Sequence, residues 1–401
     1  MNILLLATDF FPVWGGAGTY ASELARNIDP GIDLHILTLN RINFGKLKVK
    51  SKDNLEDFLP KNVHVHYLGE ARDTFWYNLK FQISCLRNID FFVKNYDIDI
   101  IHSQSSMPDL FINHNNLKIP VVTTVHSTIE EQAKAIKALN KGFHQLELSE
   151  KMTLLLSYFN YFIEKNYYKN NKYYITVSDW SKEQLVKNKK IDPNRVRVIK
   201  NGVDVELFNP KKGLSSHKFF PELSLITKPK ILFLSRMTES KGLTFLMESI
   251  PSILKDSDVH FIFAGPGKRP NIKLSNKNYT YLNYIPHEVC PYLYSLSDIF
   301  ILPSLYENFP ISILEAMASG CAIIASDIGG IPEMISDSEN GLLISPSSIK
   351  DIINSISNLL EDKILMQKLK INARKTAEEK FTLNNTISNT IEYYNEILKK
   401  N

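Results

Sequence analysis

Cysteine is scarce in this chain, with three in 401 residues, at Cys85, Cys290 and Cys321. An odd, widely spaced trio offers neither a disulfide framework nor metal-ligand spacing, and it fits a reducing compartment. No apolar run approaches the roughly 18 to 20 residues that span a bilayer. The opening MNILLLATDFFPVW lacks the basic n-region of a signal peptide and reads as a buried first strand, so the cytoplasm is the expected location. A surplus of one charge is also missing: 47 Lys and Arg against 43 Asp and Glu leave a formal +4, too little to point to nucleic acid. Repeats with a period of about 20 to 50 residues and low-complexity tracts are absent, which excludes solenoids and linker-like chains. What remains is 44% hydrophobic and 22% charged, a globular composition that excludes a disordered tail, a coiled coil and a collagen-like rod. At roughly 150 residues per domain the length allows about two to three domains.

Short β-branched or aliphatic runs alternate with longer amphipathic stretches. The first series of expected strands is Asn2–Thr8, Leu34–Leu39, Val63–Tyr67, Ile98–His102, Val121–Val125 and Tyr174–Val177. A second series runs through Ile231–Ser235, His260–Ala264, Tyr279–Ile285, Ile299–Leu302, Ala322–Ala325 and Gly341–Ile344. Helical patterns such as Thr19–Ile28 and Phe75–Lys94 separate them. Alternation of this kind implies parallel sheets with right-handed crossovers, covered on both faces because the strands are almost wholly apolar. A polar stretch without periodicity, around Pro210–Gly213 and Ser215–Lys218, lies between the series. The expected architecture is α/β: residues 1–208 as one domain, a linker over 209–228, and 229–381 as a second. Two Rossmann-like halves would bind ligands outside the carboxyl ends of their strands.

Several motifs have bland readings as good as their sharp ones. Gly16-Ala17-Gly18-Thr19-Tyr20-Ala21 has the G-x-G-x-x-A form of a dinucleotide fingerprint. Six residues, Asp9 to Trp14, separate it from its strand, and the second strand ends at Asn40 rather than at an acid, so context opposes that use. A glycine loop entering a helix still offers free amides and close approach to an anion or a sugar. Asp97-Ile98-Asp99 has a metal-type D-x-D spacing but sits at the amino end of its strand, where charges cap a strand entrance. No other cluster has metal-ligand spacing, and no metal is expected. The alternation Lys46-Leu47-Lys48-Val49-Lys50-Ser51-Lys52 suits an anionic acceptor, an acidic bilayer surface or plain solvation. The aromatic run Met152–Tyr168 reads as a packed helix before an interfacial one.

One stretch says more. After the strand Ile299–Leu302 come Pro303 to Pro310, then an apolar helix Ile311–Ser319 stopped by Gly320. Glu307 lies in the loop at the strand's carboxyl edge, and Glu315 inside the helix. The helix start between them presents unpaired amides around Phe309 to Ser312, an anion site. Upstream, Arg236 ends another strand and Lys241-Gly242 opens the following helix, so both cations could flank a diphosphate. Gly265-Pro266-Gly267 ends a third strand.

This order of residues resembles the retaining glycosyltransferases of the group 1, or family 4, type, which have the GT-B fold. The E-x7-E element is Glu307 to Glu315, followed by Ala316-Met317-Ala318-Ser319-Gly320. The Arg…Lys-Gly element is Arg236…Lys241-Gly242, and the first-lobe glycine pair is Gly15-Gly16. Val177-Ser178-Asp179-Trp180-Ser181, Asn201-Gly202-Val203-Asp204 and Asp327-Ile328-Gly329-Gly330 are further family-like phrases, and Asn308 stands where glycine is commonest. The resemblance implies two Rossmann-like domains facing each other across a cleft, with the chain after about Phe381 (382–401) crossing back to the first. It implies that Glu315 bonds ribose hydroxyls and that Glu307 holds the donor sugar, helped by the backbone of Asn308, Phe309, Pro310 and Ile311. Arg236 and Lys241 would bind the diphosphate and stabilise it as it leaves. The backbone near Ile285 would meet the base, with Gly265 lining the same edge. Gly15 and Gly16 would approach from the first lobe, and His126 would reach a sugar hydroxyl.

The implied reaction is transfer of a hexose from a nucleotide diphosphate sugar, UDP by family frequency, to a hydroxyl acceptor. It needs no metal and no cofactor beyond the donor substrate. The resemblance implies carbohydrate or lipid-linked acceptors, the Lys46–Lys52 alternation allows contact with a membrane surface, and the abundance of Lys, Asn and Ile fits bacterial polysaccharide or glycolipid synthesis, with no nucleic acid involved. A nucleotide-sugar epimerase of the same fold is the alternative. The loops expected to read the acceptor, about 41–60 and 128–150, match no pattern.

Overall fold

The computed structural model describes residues 1–400 apart from 12–14, 45–46, 49–58, 73–75, 105–106, 139–147, 171–172, 268 and 270–276. The chain divides into two units, one of Met1–Ala133, Phe143–Lys200 and Thr386–Asn401, the other of Lys134–Gly142 and Asn201–Asn385.

The first unit is built on β1 (Asn2–Ala7), β2 (Asp33–Phe44), β3 (Leu47–Lys48), β4 (Val63–Arg72), β5 (Ile100–Gln104), β6 (Val121–Val125), β7 (Tyr173–Thr176) and β8 (Val196–Val198). Their order is β3-β2-β1-β5-β6-β7-β8, with β4 also on β2, and only the β2–β3 pair is antiparallel. Every residue of β5 and β6 is buried, including the polar His102, Ser103, Gln104, Thr123 and Thr124 at their carboxyl halves. The second sheet holds β9 (Lys230–Leu234), β10 (His260–Ala264), β11 (Tyr279–Leu282), β12 (Ile299–Leu302), β13 (Ala322–Ser326) and β14 (Leu342–Ile344). Its order is β11-β10-β9-β12-β13-β14, all parallel. In each sheet the order reverses beside the first strand, between β1 and β5 and between β9 and β12. Those are the points where a doubly wound sheet opens a crevice at its carboxyl ends.

The helices cover these sheets with apolar stripes. Helix Ile349–Glu361 buries Ile352, Ile356 and Leu359, and Ser348 caps it by accepting from the Asp351 amide at 3.1 Å. Those side chains join Phe233, Phe261, Ile301 and Ile324 in the core of the second unit. Burying each such side chain contributes about 1.5 to 3 kcal/mol. Helix Leu148–Asn170 contains the aromatic run and buries Tyr167 and Tyr168, while Leu155 and Phe162 stay exposed. It is anchored by the buried Lys189 ammonium, which lies 3.1 Å from Glu164 and 3.3 Å from Glu130 and over the Tyr161 ring.

Three expectations need correction. No loose linker fills 209–228: Pro210–Lys218 is a 3-10 run and Pro221–Ser224 a short helix, both in the second unit. Ser295 Oγ donates to the Asn209 carbonyl at 2.9 Å, and the Phe219 and Tyr292 rings lie 4.3 Å apart. Polar composition hid this segment, whose buried Phe220 and Leu223 and the Phe219 ring on Tyr292 follow no period. The long run of the second unit begins at Asn201, directly after Lys200. β8 and β3 were also missed, being too short to show a period. Of the lysine alternation only Leu47–Lys48 has described backbone, and the rest lies outside the described residues.

The last helix, Leu383–Lys400, belongs to the first unit from Thr386 onward. The chain segments near the 200/201 and 385/386 boundaries are hydrogen-bonded to each other. Val203 pairs with Thr382 through Val203 N–H to Phe381 O (2.9 Å) and Leu383 N–H to Val203 O (3.0 Å). Thr386 Oγ1 donates to the Lys200 carbonyl at 2.8 Å.

Histidines give the first unit an acid weakness. His35 sits opposite His64 on the β2–β4 ladder, and its Nδ1 is 3.0 Å from Nε2 of His66. Burial, then the neighbouring His64 and His66, pulls His35 from an ordinary 6.5 to about 4. Burial pulls the wholly enclosed His102 to about 3. Both are depressed bases, so their neutral forms support the fold fully above the unfolded value of 6.5. That support is lost as pH falls through the folded values. The urea midpoint followed by circular dichroism should therefore decline between about pH 6.5 and pH 4, and His35→Leu should flatten the slope.

Candidate functional site

The switch point of the second sheet gathers the residues that stood out in the sequence. β9 ends at Leu234, and the chain turns through Ser235 and Arg236, with the Thr238 amide donating back to the Arg236 carbonyl at 2.8 Å. A 3-10 turn, Glu239–Lys241, then leads into helix Leu243–Asp256. On the neighbouring strand, β12 ends at Leu302 and the loop from Pro303 to Pro310 leads into helix Ile311–Ala318. The Leu305 amide donates to the Ser240 carbonyl at 2.9 Å, tying the two turns together.

Across this seam the Lys241 ammonium forms an ion pair with Glu307 Oε1, and Ser304 Oγ donates to the same oxygen at 3.0 Å. The two side chains are only 17% and 10% exposed, so the pair is poorly screened by solvent. Two glycines permit it. At Gly242 (φ 74°) an added Cβ would lie 1.8 Å from the Pro303 carbonyl oxygen. At Gly329 (φ 54°) it would lie 1.8 Å from the carbonyl oxygen of Glu307 itself. The loop is further fixed by Asn201 Nδ2, which donates to the Phe309 carbonyl at 2.7 Å, and by the Phe309 ring against Phe381. Asn308 is buried, keeps a negative φ and accepts from the Tyr306 hydroxyl at 3.1 Å, so this backbone does not require a glycine there.

Glu315 is on the buried face of helix Ile311–Ala318, and both of its oxygens are engaged. His287 Nε2 is 2.8 Å from Oε1, and the Tyr294 hydroxyl donates to Oε2 at 2.8 Å. A carboxylate only accepts, so that His287 nitrogen carries the proton. Burial and then the Glu315 charge push the Tyr294 hydroxyl well above its ordinary range, keeping it a donor. The sequence reading missed both partners, which precede Glu315 by more than a heptad and share no motif with it. A carboxylate accepts about four hydrogen bonds, so Glu315 can still take further donors. The helix start between the two glutamates has Pro310 as its capping residue and no side-chain cap. Its first amides have no intrahelical acceptor and favour an anion.

The remaining expected residues are placed as follows. Arg236 is exposed, and no salt bridge to it is found among the described residues. Gly265 (φ 130°) answers to its own neighbour: an added Cβ would lie 2.0 Å from the Ser235 carbonyl oxygen. Its glycine is explained by the approach of the β9 turn. Ile285 is half-buried in the segment that follows β11, two residues before His287. In the first unit, Gly15 precedes and Gly16 opens helix Gly16–Arg26, both exposed, and an added Cβ at either meets nothing within 4 Å. Nothing in the packing around them demands glycine. His126 follows β6, partly buried, with its ring 5.1 Å from that of Tyr20 and its basicity pulled down to about 4 by burial.

Asp97 and Asp99 prove structural. The Asn2 amide donates to Asp99 Oδ2 at 2.7 Å, and Asn2 Nδ2 donates to the Asp97 carbonyl at 3.2 Å, fixing the entrances of β1 and β5. No group of three or more candidate metal ligands occurs among the described residues. Of the loops expected to read an acceptor, Thr128 opens a capping box. Its amide donates to Glu131 Oε2 at 2.8 Å, and the Glu131 amide donates to Thr128 Oγ1 at 3.3 Å. Residues 45–46, 49–58 and 139–147 lie outside the described residues.

The two kinds of glycine separate in a stability measurement. Gly329→Ala should lower the unfolding free energy by more than about 2 kcal/mol, because a left-handed residue would also meet a backbone oxygen. Gly16→Ala should stay within about 0.5 kcal/mol of the parent in the same denaturant titration.

Comparison with known proteins agrees with this geometry. A family model described as "Glycosyl transferases group 1" matches residues 216–376, and "Glycosyltransferase Family 4" matches residues 14–207. The chain is 32% identical over 205 residues to the N,N'-diacetylbacillosaminyl-diphospho-undecaprenol alpha-1,3-N-acetylgalactosaminyltransferase of Campylobacter jejuni, covering 50% of this chain and 53% of that protein. It is 28% identical over 291 residues to the UDP-Gal:alpha-D-GlcNAc-diphosphoundecaprenol alpha-1,3-galactosyltransferase of Escherichia coli, covering 68% and 69%. The sucrose-phosphate synthase structure from Thermosynechococcus elongatus superposes with a TM-score of 0.81 at 18% identity, over 100% of both chains, and shows the fold. With two doubly wound parallel sheets, an E-x7-E helix at the second switch point and both halves matched, the chain belongs to the group 1, family 4 glycosyltransferases and has the GT-B fold.

Proposed function

We propose that this enzyme is a retaining hexosyltransferase that moves a hexose from a UDP-sugar to a hydroxyl of a carbohydrate or lipid-linked acceptor, in glycolipid or polysaccharide synthesis. The observation that carries the reading is the Lys241–Glu307 pair at the β9/β12 switch point, beside a bare helix start. An ammonium suited to a diphosphate and a carboxylate suited to sugar hydroxyls are held within one contact of each other. The uracil-containing donor and the diphosphoundecaprenol-linked acceptor named for the Escherichia coli relative support the substrate classes. An acceptor on a polyprenol would bring the enzyme to a membrane surface. None of its described helices is long and apolar enough to cross one.

Each residue then has a task. Arg236, exposed at the end of β9, and Lys241 grip the diphosphate, with the amides at Ile311 and Ser312 adding positive potential. Glu307 and the loop backbone at Asn308 to Pro310 orient the donor sugar. Glu315, steadied by His287 and Tyr294, accepts from the ribose hydroxyls, and the backbone near Ile285 and Gly265 faces the base. On the first unit, the open backbone at Gly15 and Gly16 and the neutral His126 serve the sugar and phosphate. The bond from the anomeric carbon to the diphosphate oxygen breaks as the acceptor oxygen bonds to the same face. The acceptor's proton passes to the departing phosphate. Negative charge grows on the leaving group, so cations aimed there lower the barrier most. They supply the field that a metal would otherwise provide.

Arg236→Ala gives the cleanest test. An exposed side chain costs stability little, within about 0.5 kcal/mol, whereas loss of a leaving-group contact should lower transfer roughly 100-fold or more. Lys241→Ala should lower transfer at least as far, with about 1 to 3 kcal/mol of destabilisation from the stranded Glu307. Thermal shifts against UDP, GDP, ADP and CMP should single out UDP, and EDTA should leave turnover unchanged. Full transfer by Arg236→Ala, or stabilisation by another nucleotide alone, would overturn the corresponding part of the reading.

A further inference from the structure

The first unit encloses polar groups around His126 that the proposed chemistry does not use. His102, wholly buried on β5, has Nε2 2.7 Å from Thr124 Oγ1 on β6. Its Nδ1 is hydrogen-bonded to the hydroxyl of Tyr394, which comes from the chain's last helix and is also fully buried. Tyr20, from the helix that Gly16 opens, packs edge-on against both histidines, at 5.1 Å from the His126 ring and 6.4 Å from the His102 ring. Its hydroxyl is enclosed by the hydroxyls of Thr390 and Thr124, although no well-aligned hydrogen bond joins them. Thr390 lies one turn before Tyr394 and spends its own proton on the Thr386 carbonyl at 2.7 Å. Tyr394, His102 and Tyr20 thus form a contiguous support behind His126, and two of its anchor points belong to a helix almost 300 residues away in sequence.

We propose that Tyr394 is a positioning residue for His126: through His102 and the Tyr20 ring, the terminal helix sets the orientation of the histidine that faces the sugar. The physical basis is the neutral imidazole of His102. It has one donor and one acceptor nitrogen, and each is matched to a buried hydroxyl. The Tyr394 and Thr124 hydroxyls can each donate or accept, so between them they satisfy both nitrogens and fix the ring plane whichever nitrogen carries the proton. With both nitrogens held, His102 presents a fixed edge to Tyr20, and Tyr20 a fixed edge to His126. Removing the Tyr394 hydroxyl leaves a buried nitrogen without its partner, which loosens the stack. The polypeptide that returns from the second unit would thus do more than close the fold. The inference about transfer rests on the sugar-facing role of His126, whereas the mechanical coupling does not.

The coupling is tested by histidine nitrogen resonances of the full chain without added ligand, with His126 assigned by the signal lost in His126→Gln. Tyr394→Phe, which keeps the ring, should displace the nitrogen signals of His102 and of His126, and His102→Gln should displace the same His126 signals. Tyr393→Phe, one residue away on the same helix, should leave both unchanged. His126 signals that superimpose in the parent and in Tyr394→Phe would overturn the proposal. Hydrolysis of the UDP-sugar giving the largest thermal shift, followed by UDP release, adds the functional readout. Tyr394→Phe should lower kcat by roughly tenfold with the donor KM unchanged, a pattern expected of a group acting only at the chemical step. In a His126→Ala background Tyr394→Phe should add less than about a twofold loss, since the two then act on one pathway. Multiplying losses would sink the relay. Parental hydrolysis by His126→Ala would instead withdraw the catalytic role of His126 and leave the resonance result to decide the coupling.

Discussion

A half-buried ion pair between Lys241 and Glu307 is the constraint on which the second unit's site is built. Taking both charges out of water is costly, and the cost is offset only where geometry is fixed and lone pairs are filled. The fold meets those terms with backbone. Gly242 and Gly329 let two turns press against Pro303 and Glu307 where no side chain could fit, and Ser304 fills a lone pair on the same carboxylate oxygen. The pair also keeps a cation and an acceptor of hydrogen bonds aligned before any substrate arrives. Preorganisation of this sort is what electrostatic catalysis requires, because the groups need not reorient as charge develops.

The same economy appears around Glu315. A carboxylate in the middle of an apolar helix would be a liability, yet Tyr294 and His287 turn it into a rigid acceptor at the crevice edge. Strand order reverses between β1 and β5 in one unit and between β9 and β12 in the other. The first unit differs: an added Cβ at Gly15 or Gly16 meets nothing within 4 Å, and the His126 ring lies edge-on to Tyr20.

Much of this was legible before any coordinates. Strand positions Val121–Val125, His260–Ala264 and Ile299–Leu302 emerged from apolar runs because parallel strands are buried on both faces. The strand, loop and helix around Glu307 and Glu315 followed from Pro310 and Gly320, which punctuate the chain chemically. The polar run at 209–228 misled, since its buried Phe220 and Leu223 and its one ring pair fall in short turns without a period. At Gly265 the close approach of the Ser235 carbonyl in the turn after β9 requires glycine, a constraint that no local pattern shows.

By itself the sequence determined the α/β class, the two series of strands, the family and the identities of the charged residues at the strand ends. These follow from periodicity, punctuation and local order, which act over a few residues at a time. Only the tertiary structure decided that Lys241 spends its charge on Glu307, that His287 and Tyr294 hold Glu315, and that Tyr394 reaches back to His102. Each of those contacts joins residues tens to hundreds of positions apart. Their meeting is set by strand order and helix packing, which no local pattern encodes.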